Sequence, residues 1–187
     1  MKKYTGFTLI ELMITVAIAA IVLTIGVPSF RTTILNNTRV AQVNEFVGVL
    51  NLARSEAIKT GFRVVICRSS DGATCAANTS GVWESGWLVF ADLNRNGAFD
   101  PASPDNEKLL KVQGALANNF TLRTSGNFTQ WIGYLPNGVS EGNTGLISGA
   151  ETFNLCDSRG VDQARFIEIN STGRMRVREK EAGDACP

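Results

Sequence analysis

Near the carboxy terminus, the stretch Gly173-Arg174-Met175-Arg176-Val177-Arg178-Glu179-Lys180 sets a cation at every second position. In an extended strand this period places Arg174, Arg176 and Arg178 on one face and Met175 and Val177 on the other. Same-face neighbours recur about every 6.6 Å, close to the phosphate repeat along one DNA strand. A guanidinium forks onto phosphate oxygens, so the chemistry offered is backbone binding to a nucleic acid. The blander reading is a solvated edge strand whose charges discourage sheet-to-sheet pairing. Glu179, Glu181 and Asp184 also stand near enough in sequence to neutralise the arginines.

A second cluster, Asp92-Leu93-Asn94-Arg95-Asn96-Gly97-Ala98-Phe99-Asp100, matches the first nine positions of a calcium loop. The twelfth position is Ser103 rather than a bidentate glutamate, and a tight Asn/Asp/Gly hairpin turn explains the same residues. No metal is expected there. The chain has no histidine, which removes His-based catalytic arrangements and the commonest metal ligand. No phosphate-cradling glycine loop appears either. The sequence therefore reads as a non-enzyme without a cofactor. Trp83, Trp87 and Trp131 could stack on bases, but buried core is the default for aromatics in strands.

The elements that must position these residues begin with a hydrophobic amino terminus. Met1-Lys2-Lys3-Tyr4-Thr5-Gly6 is a short basic leader, and the apolar run after it lasts to Val27 with Glu11 as its one charge. About 20 apolar residues span a bilayer as a helix. A lone carboxylate inside such a span is costly and reads as functional. Lys2 and Lys3 predict a cytoplasmic amino terminus, with everything beyond Val27 exported. The small residue Gly6 precedes the apolar run, so cleavage there would keep the helix on the mature protein, unlike an ordinary secretory signal.

At these residues the chain resembles the type IV pilin superfamily. Gly6-Phe7-Thr8-Leu9-Ile10-Glu11-Leu12 is similar to that superfamily's class III leader junction. The resemblance implies cleavage between Gly6 and Phe7 by a prepilin peptidase and N-methylation of Phe7. It also implies that Glu11 is the buried assembly glutamate and that Pro28 is the helix-bending proline. A neighbour's Phe7 amine meeting Glu11 in a filament core would neutralise two charges that are each expensive in an apolar surround. Partners would be other pilins through this helix, with the inner membrane holding the protein before assembly.

The formal charge is +1, and without the two leader lysines 16 basic residues face 17 acidic ones, a net −1. No overall basic field draws nucleic acid, so any such role must come from a local patch. Cys67, Cys75, Cys156 and Cys186 all lie in the part expected to be exported, where an even count favours disulfides. Of three possible connectivities, Cys67 with Cys75 closes a small loop and Cys156 with Cys186 pins the carboxy terminus. A zinc site is the alternative, but there is no Cys-x-x-Cys knuckle.

Helical character continues beyond the span. Val40, Val43, Val47, Leu50, Ala53, Ala57 and Ile58 recur at three- and four-residue steps, with Thr60-Gly61 as the stop. From Phe7 to Thr60 the helix would be about 80 Å long. The period then becomes two, with candidate strands at 62–67, 86–91, 108–112, 120–124, 128–135, 152–156, 164–170 and 174–178. Asn94-Arg95-Asn96-Gly97, Pro136-Asn137-Gly138 and Ser171-Thr172-Gly173 are turn signals. The expected fold is α+β, the pilin fold: a long amino-terminal helix, part transmembrane and part amphipathic, packed on an antiparallel sheet. Expected boundaries are a leader at 1–6, a transmembrane helix at 7–27, an amphipathic helix at 28–61 and a β-rich periplasmic domain at 62–187.

Ala53-Arg54-Ser55-Glu56-Ala57, Gly86-Trp87-Leu88-Val89-Phe90-Ala91-Asp92, Leu135-Pro136-Asn137-Gly138 and Ser171-Thr172-Gly173-Arg174 follow in an order that resembles the GspH/FimT family. That resemblance implies a minor pilin that binds double-stranded DNA for uptake in natural transformation. Gly173, Arg174, Arg176, Arg178 and Lys180 would form the DNA-binding hairpin. The alternatives are a GspH-like pseudopilin of the type II secretion system and a structural primer of pilus assembly without ligand. Either way the expected place is the bacterial inner membrane, then a pilus or pseudopilus filament.

Overall fold

Helix α1 (Leu9–Thr60) is continuous in the computed structural model, which describes residues 6–77, 80, 82–102, 106–117, 119–124 and 126–186. The expected start at Phe7 moves to Leu9 because Thr8 acts as the cap. The Glu11 amide donates to Thr8 Oγ1 at 3.3 Å, and the Thr8 amide donates to Glu11 Oε2 at 3.4 Å. This reciprocal pair is a capping box, satisfying amides that a helix start leaves unpaired. The chain separates into two compact units, Met1–Thr38 and Arg39–Pro187. In the first, the apolar side chains are exposed and the helix is long and apolar enough to cross a membrane. Pro28 lies inside the helix.

In the second unit the helix buries Arg39, Val43, Phe46, Val49, Leu50, Ala53 and Ala57. Val43, Leu50, Ala53 and Ala57 are buried as expected, but Val40 and Ile58 stay more than half exposed, so the buried face is rotated by about half a residue step, or roughly 50°, from the expected stripe. Phe46 causes the rotation, since its ring buries more area than either valine or isoleucine could. It meets Trp83, Trp87 and Phe153 edge-on, with centroids 6.1, 5.2 and 4.8 Å away. The helix stops at Gly61, which takes φ +74° while its amide donates back to Ala57 O at 3.0 Å.

The single sheet expected from the sequence is two antiparallel sheets. One contains β1 (Val64–Arg68), β2 (Trp87–Ala91), β3 (Leu109–Gln113), β5 (Trp131–Tyr134), β6 (Ser140–Gly142) and β7 (Gly145–Leu146), in the order β3-β2-β1-β5-β6-β7. The other, in the order β10-β9-β8-β4, contains β4 (Phe120–Thr124), β8 (Ala150–Asp157), β9 (Arg165–Asn170) and β10 (Met175–Arg178). β6 and β7 were not expected; they are too short and glycine-rich to show a period. The strand expected at 128–135 begins only at Trp131, because Gly126–Phe128 forms a 3-10 turn.

The expected alternation also fails in β1, which is buried at every position. Val65, Cys67, Leu88 and Phe90 form a cluster on the face away from Trp87, and Cys75, Phe99 and Trp131 pack against it. A strand covered on both sides has no reason to alternate. Trp83 and Trp87 are fully buried core.

Cys67 is joined to Cys75 and Cys156 to Cys186. The second bond returns the carboxy-terminal tail to β8, where Cys186 and Val161 pack on Cys156, Ala164 and Phe166. Cys156→Ser should cost about 2–4 kcal/mol of stability. Urea unfolding of the full chain measures that loss, and mass spectrometry of the non-reduced protein should find Cys156 joined to Cys186. All four thiols free would overturn the expectation.

Candidate functional site

The arginine-bearing hairpin is set by its turn. Asn170 and Arg174 close it, the Asn170 amide donating to Arg174 O at 3.0 Å and the Gly173 amide to Asn170 O at 2.8 Å. Gly173 sits at φ +72°, and a Cβ there would strike Gly138 O and the Tyr134 ring. Only glycine satisfies both demands. Arg54, on α1, ties this turn to the 136–138 turn: Nε donates to Gly138 O at 3.1 Å and Nη2 to Thr172 O at 3.0 Å. The sequence marked Arg54 as a family signature but not as this tether.

β10 is an edge strand, paired with β9 so that Arg176 faces Glu168 and Arg178 faces Phe166. Met175 and Val177 face Ile169 and Ile167 on the other side, where Val177 stays exposed. Arg176 and Arg178 therefore share one face of the strand and Arg174 sits in the turn just before it, but the three do not share one environment. Arg174 is exposed and no ion pair is formed with it among the described residues. Arg176 is 66% exposed and makes only long contacts, 3.4 Å to Glu168 and 3.5 Å to Glu181.

Arg178 is only 12% exposed. Its Nε donates to Glu168 Oε1 at 2.5 Å, Nη2 to Asp184 Oδ1 at 3.0 Å, and Nη1 to Asp184 Oδ2. The guanidinium lies 4.8 Å from the centre of the Phe166 ring. Bonds from Asp184 and then Glu168 push its pKa further up, and the same pairing holds Asp184 below the usual carboxylate range. Lys180 pairs with Asp162 at 2.7 Å on the surface. Of the five residues expected to hold DNA, the fold leaves two guanidiniums exposed, those of Arg174 and Arg176. Asp184 is one of the three acids that the sequence placed near enough to neutralise the arginines; Glu168 was missed, because it reaches them across the ladder, which local periodicity does not report.

The 92–100 turn closes on its own groups. The Gly97 amide donates to Asp92 Oδ2 at 3.0 Å, the Asn96 side-chain amide to Asp100 Oδ2 at 2.6 Å, and the Asp100 amide to Glu107 Oε2 at 2.9 Å. Asp92 is buried and paired with Arg63. No group of three His, Cys, Asp or Glu residues that could hold a metal occurs among the described residues. Ser103 and the leader residues 1–5 lie outside the described residues.

Gly6 and Phe7 are exposed just ahead of α1, and the Glu11 carboxylate is turned back onto Thr8.

The model of the family described as "Type II transport protein GspH" matches residues 42–173, well over half of the chain. It ends at the turn glycine, so Arg174, Arg176 and Arg178 lie beyond it. The prokaryotic N-terminal methylation motif matches residues 1–27. No curated protein matches. Two crystal forms of the Pseudomonas aeruginosa type IV minor pilin FimU share the fold. They are 19% and 20% identical, with TM-scores of 0.51 and 0.53, covering 76% and 80% of this chain and 93% of FimU. The minor pseudopilin EpsH of the Vibrio cholerae type 2 secretion system is 12% identical, with a TM-score of 0.48, covering 75% of this chain and 96% of EpsH. Both motifs fall where the helix and the sheets require them, and the chain belongs to the GspH family, as a non-enzymatic subunit of the type IV pilin and pseudopilin class that associates with other pilins in a filament.

Proposed function

We propose that the protein is a minor pilin of a bacterial type IV pilus that holds the backbone of double-stranded DNA for uptake in natural transformation. The observation that carries this reading is the pair of exposed guanidiniums, Arg174 and Arg176, at the rim of an edge strand whose turn is rigidly held by Gly173 and Arg54. In this reading a prepilin peptidase cuts between Gly6 and Phe7. The amino terminus starts in the cytoplasm, the sheets lie in the periplasm, and Glu11 and Pro28 act in filament assembly. Lys180 adds a weakly held cation, since exposed pairs such as Lys180 with Asp162 contribute little.

Full-length chain in non-ionic detergent should bind a labelled duplex weakly, in roughly the micromolar range. The log–log salt slope should be about −2, for two phosphate contacts. Sequence should matter little, because phosphate contacts position a protein without reading bases. Arg174→Gln with Arg176→Gln should remove most of the binding and leave the disulfides and the unfolding midpoint unchanged. Binding that survives this double change, or none at low salt, would overturn the reading. The description of the matching family model favours a second one, a pseudopilin of a type II secretion system. In that case the double change would affect neither DNA nor export.

A further inference from the structure

The tail after β10 bears on the same face as the arginines. Its acids are Glu179, Glu181 and Asp184, against one cation, Lys180. Two attachments return it past β9 to β8: the Cys156–Cys186 bond, and the Asn154 side-chain amide donating to Ala185 O at 3.1 Å. Within the tail the Glu181 amide donates to Asp184 Oδ2 at 2.7 Å. That bond fixes the carboxylate that grips Arg178 at Nη1 and Nη2, while Glu168 holds Nε. Glu181 reaches both Arg176, at 3.5 Å, and Arg178, at 3.9 Å.

We infer that the 179–186 tail is an acidic cover whose carboxylates occupy Arg178 and withhold it from a phosphate backbone, while leaning only loosely on Arg176. The inference rests on the DNA-binding reading and adds its regulation. Asp184 presents two oxygens to the guanidinium fork, the geometry a phosphate would use. The contest is therefore between intramolecular carboxylate and external phosphate at one set of N–H groups. Arg178 is largely shielded from water, so its pair is screened little by salt. Arg176 is exposed and its contacts are long, so phosphate displaces them readily. With the tail in place the hairpin presents two phosphate-binding arginines; with it released, three in succession.

The test is titration of a labelled duplex at several salt concentrations with full-length chain in non-ionic detergent. Glu181→Gln with Asp184→Asn should raise affinity roughly tenfold at low salt, the value of one charge-assisted contact. The salt slope should steepen by about one. Adding Arg178→Gln should return both to wild-type values, whereas Arg178→Gln alone should change binding little. Should the Arg178 variants unfold, Cys156→Ser with Cys186→Ser offers a second route, freeing the tail while keeping every charge; it should also raise affinity. If wild type binds and the acid variant matches it in affinity and slope, the cover is wrong and the DNA reading stands. A gain that persists without Arg178 reflects net charge alone and also overturns the cover. If neither wild type nor any variant binds at low salt, the DNA reading fails and takes the cover with it. Binding only after the tail is freed would overturn the reading that Arg174 and Arg176 suffice in the wild type and would support the cover.

Discussion

Glu11→Ala is expected to lower the amount of this subunit in sheared filaments on the order of a hundredfold, with its amount in the membrane unchanged. Glu11 is the one charge in the apolar run from Phe7 to Val27. If its partner is the amine of a neighbouring subunit, removing it leaves that amine unpaired in an apolar surround, a loss of about 3–5 kcal/mol. Each 1.4 kcal/mol is about a factor of ten. The capping box offers a rival explanation, because Glu11 also holds the Thr8 amide and loss of a cap costs about 0.5–2 kcal/mol. Glu11→Gln separates the two, since glutamine can complete a capping box but carries no charge. Both variants should be missing from filaments. Wild-type levels of Glu11→Gln in sheared filaments would show that the cap matters and the charge does not.

Arg63→Met is expected to destabilise the second unit by about 3–5 kcal/mol. Arg63 is buried, pairs with Asp92, reaches Glu141 Oε1 at 2.7 Å, and lies 5.0 Å from the centre of the Trp131 ring. The Asp92 side chain is fully buried, so loss of the guanidinium strands its charge, leaving the Gly97 amide bond and no cation. Breaking a buried pair from one side is far worse than replacing both partners. Arg63→Met with Asp92→Asn should therefore recover most of the loss, because asparagine still accepts from the Gly97 amide. Urea unfolding followed by tryptophan fluorescence measures both. Equal losses for the single and the double variant would mean that packing on Trp131, not charge, is what Arg63 contributes.

Both residues show how far the sequence could be read. Glu11 stood out because a charge in an apolar run is visible without any fold. Arg63 did not, since one arginine before a strand looks the same whether it meets solvent or two carboxylates 29 and 78 residues away. The apolar stripe of α1 was legible as a period but only in part as a face: Val43, Leu50, Ala53 and Ala57 are buried as expected, but three- and four-residue steps fit several neighbouring faces. Phe46 decided the face by finding three aromatic rings from distant segments.

By itself the sequence determined the long apolar helix and its glycine stop, most of the strands, and a cysteine pairing favoured by loop size. These follow from local properties: side-chain period, hydropathy, turn conformation and short-range closure. Tertiary structure alone decided that the strands divide into two sheets, that β1 is covered on both faces, and that Arg178 is held while Arg174 and Arg176 stay exposed. The alternation of arginines reports only which face they share. Whether a guanidinium there is available depends on Glu168 across the ladder and on a tail returned by the Cys156–Cys186 bond, and such long-range electrostatics leave no mark on local period.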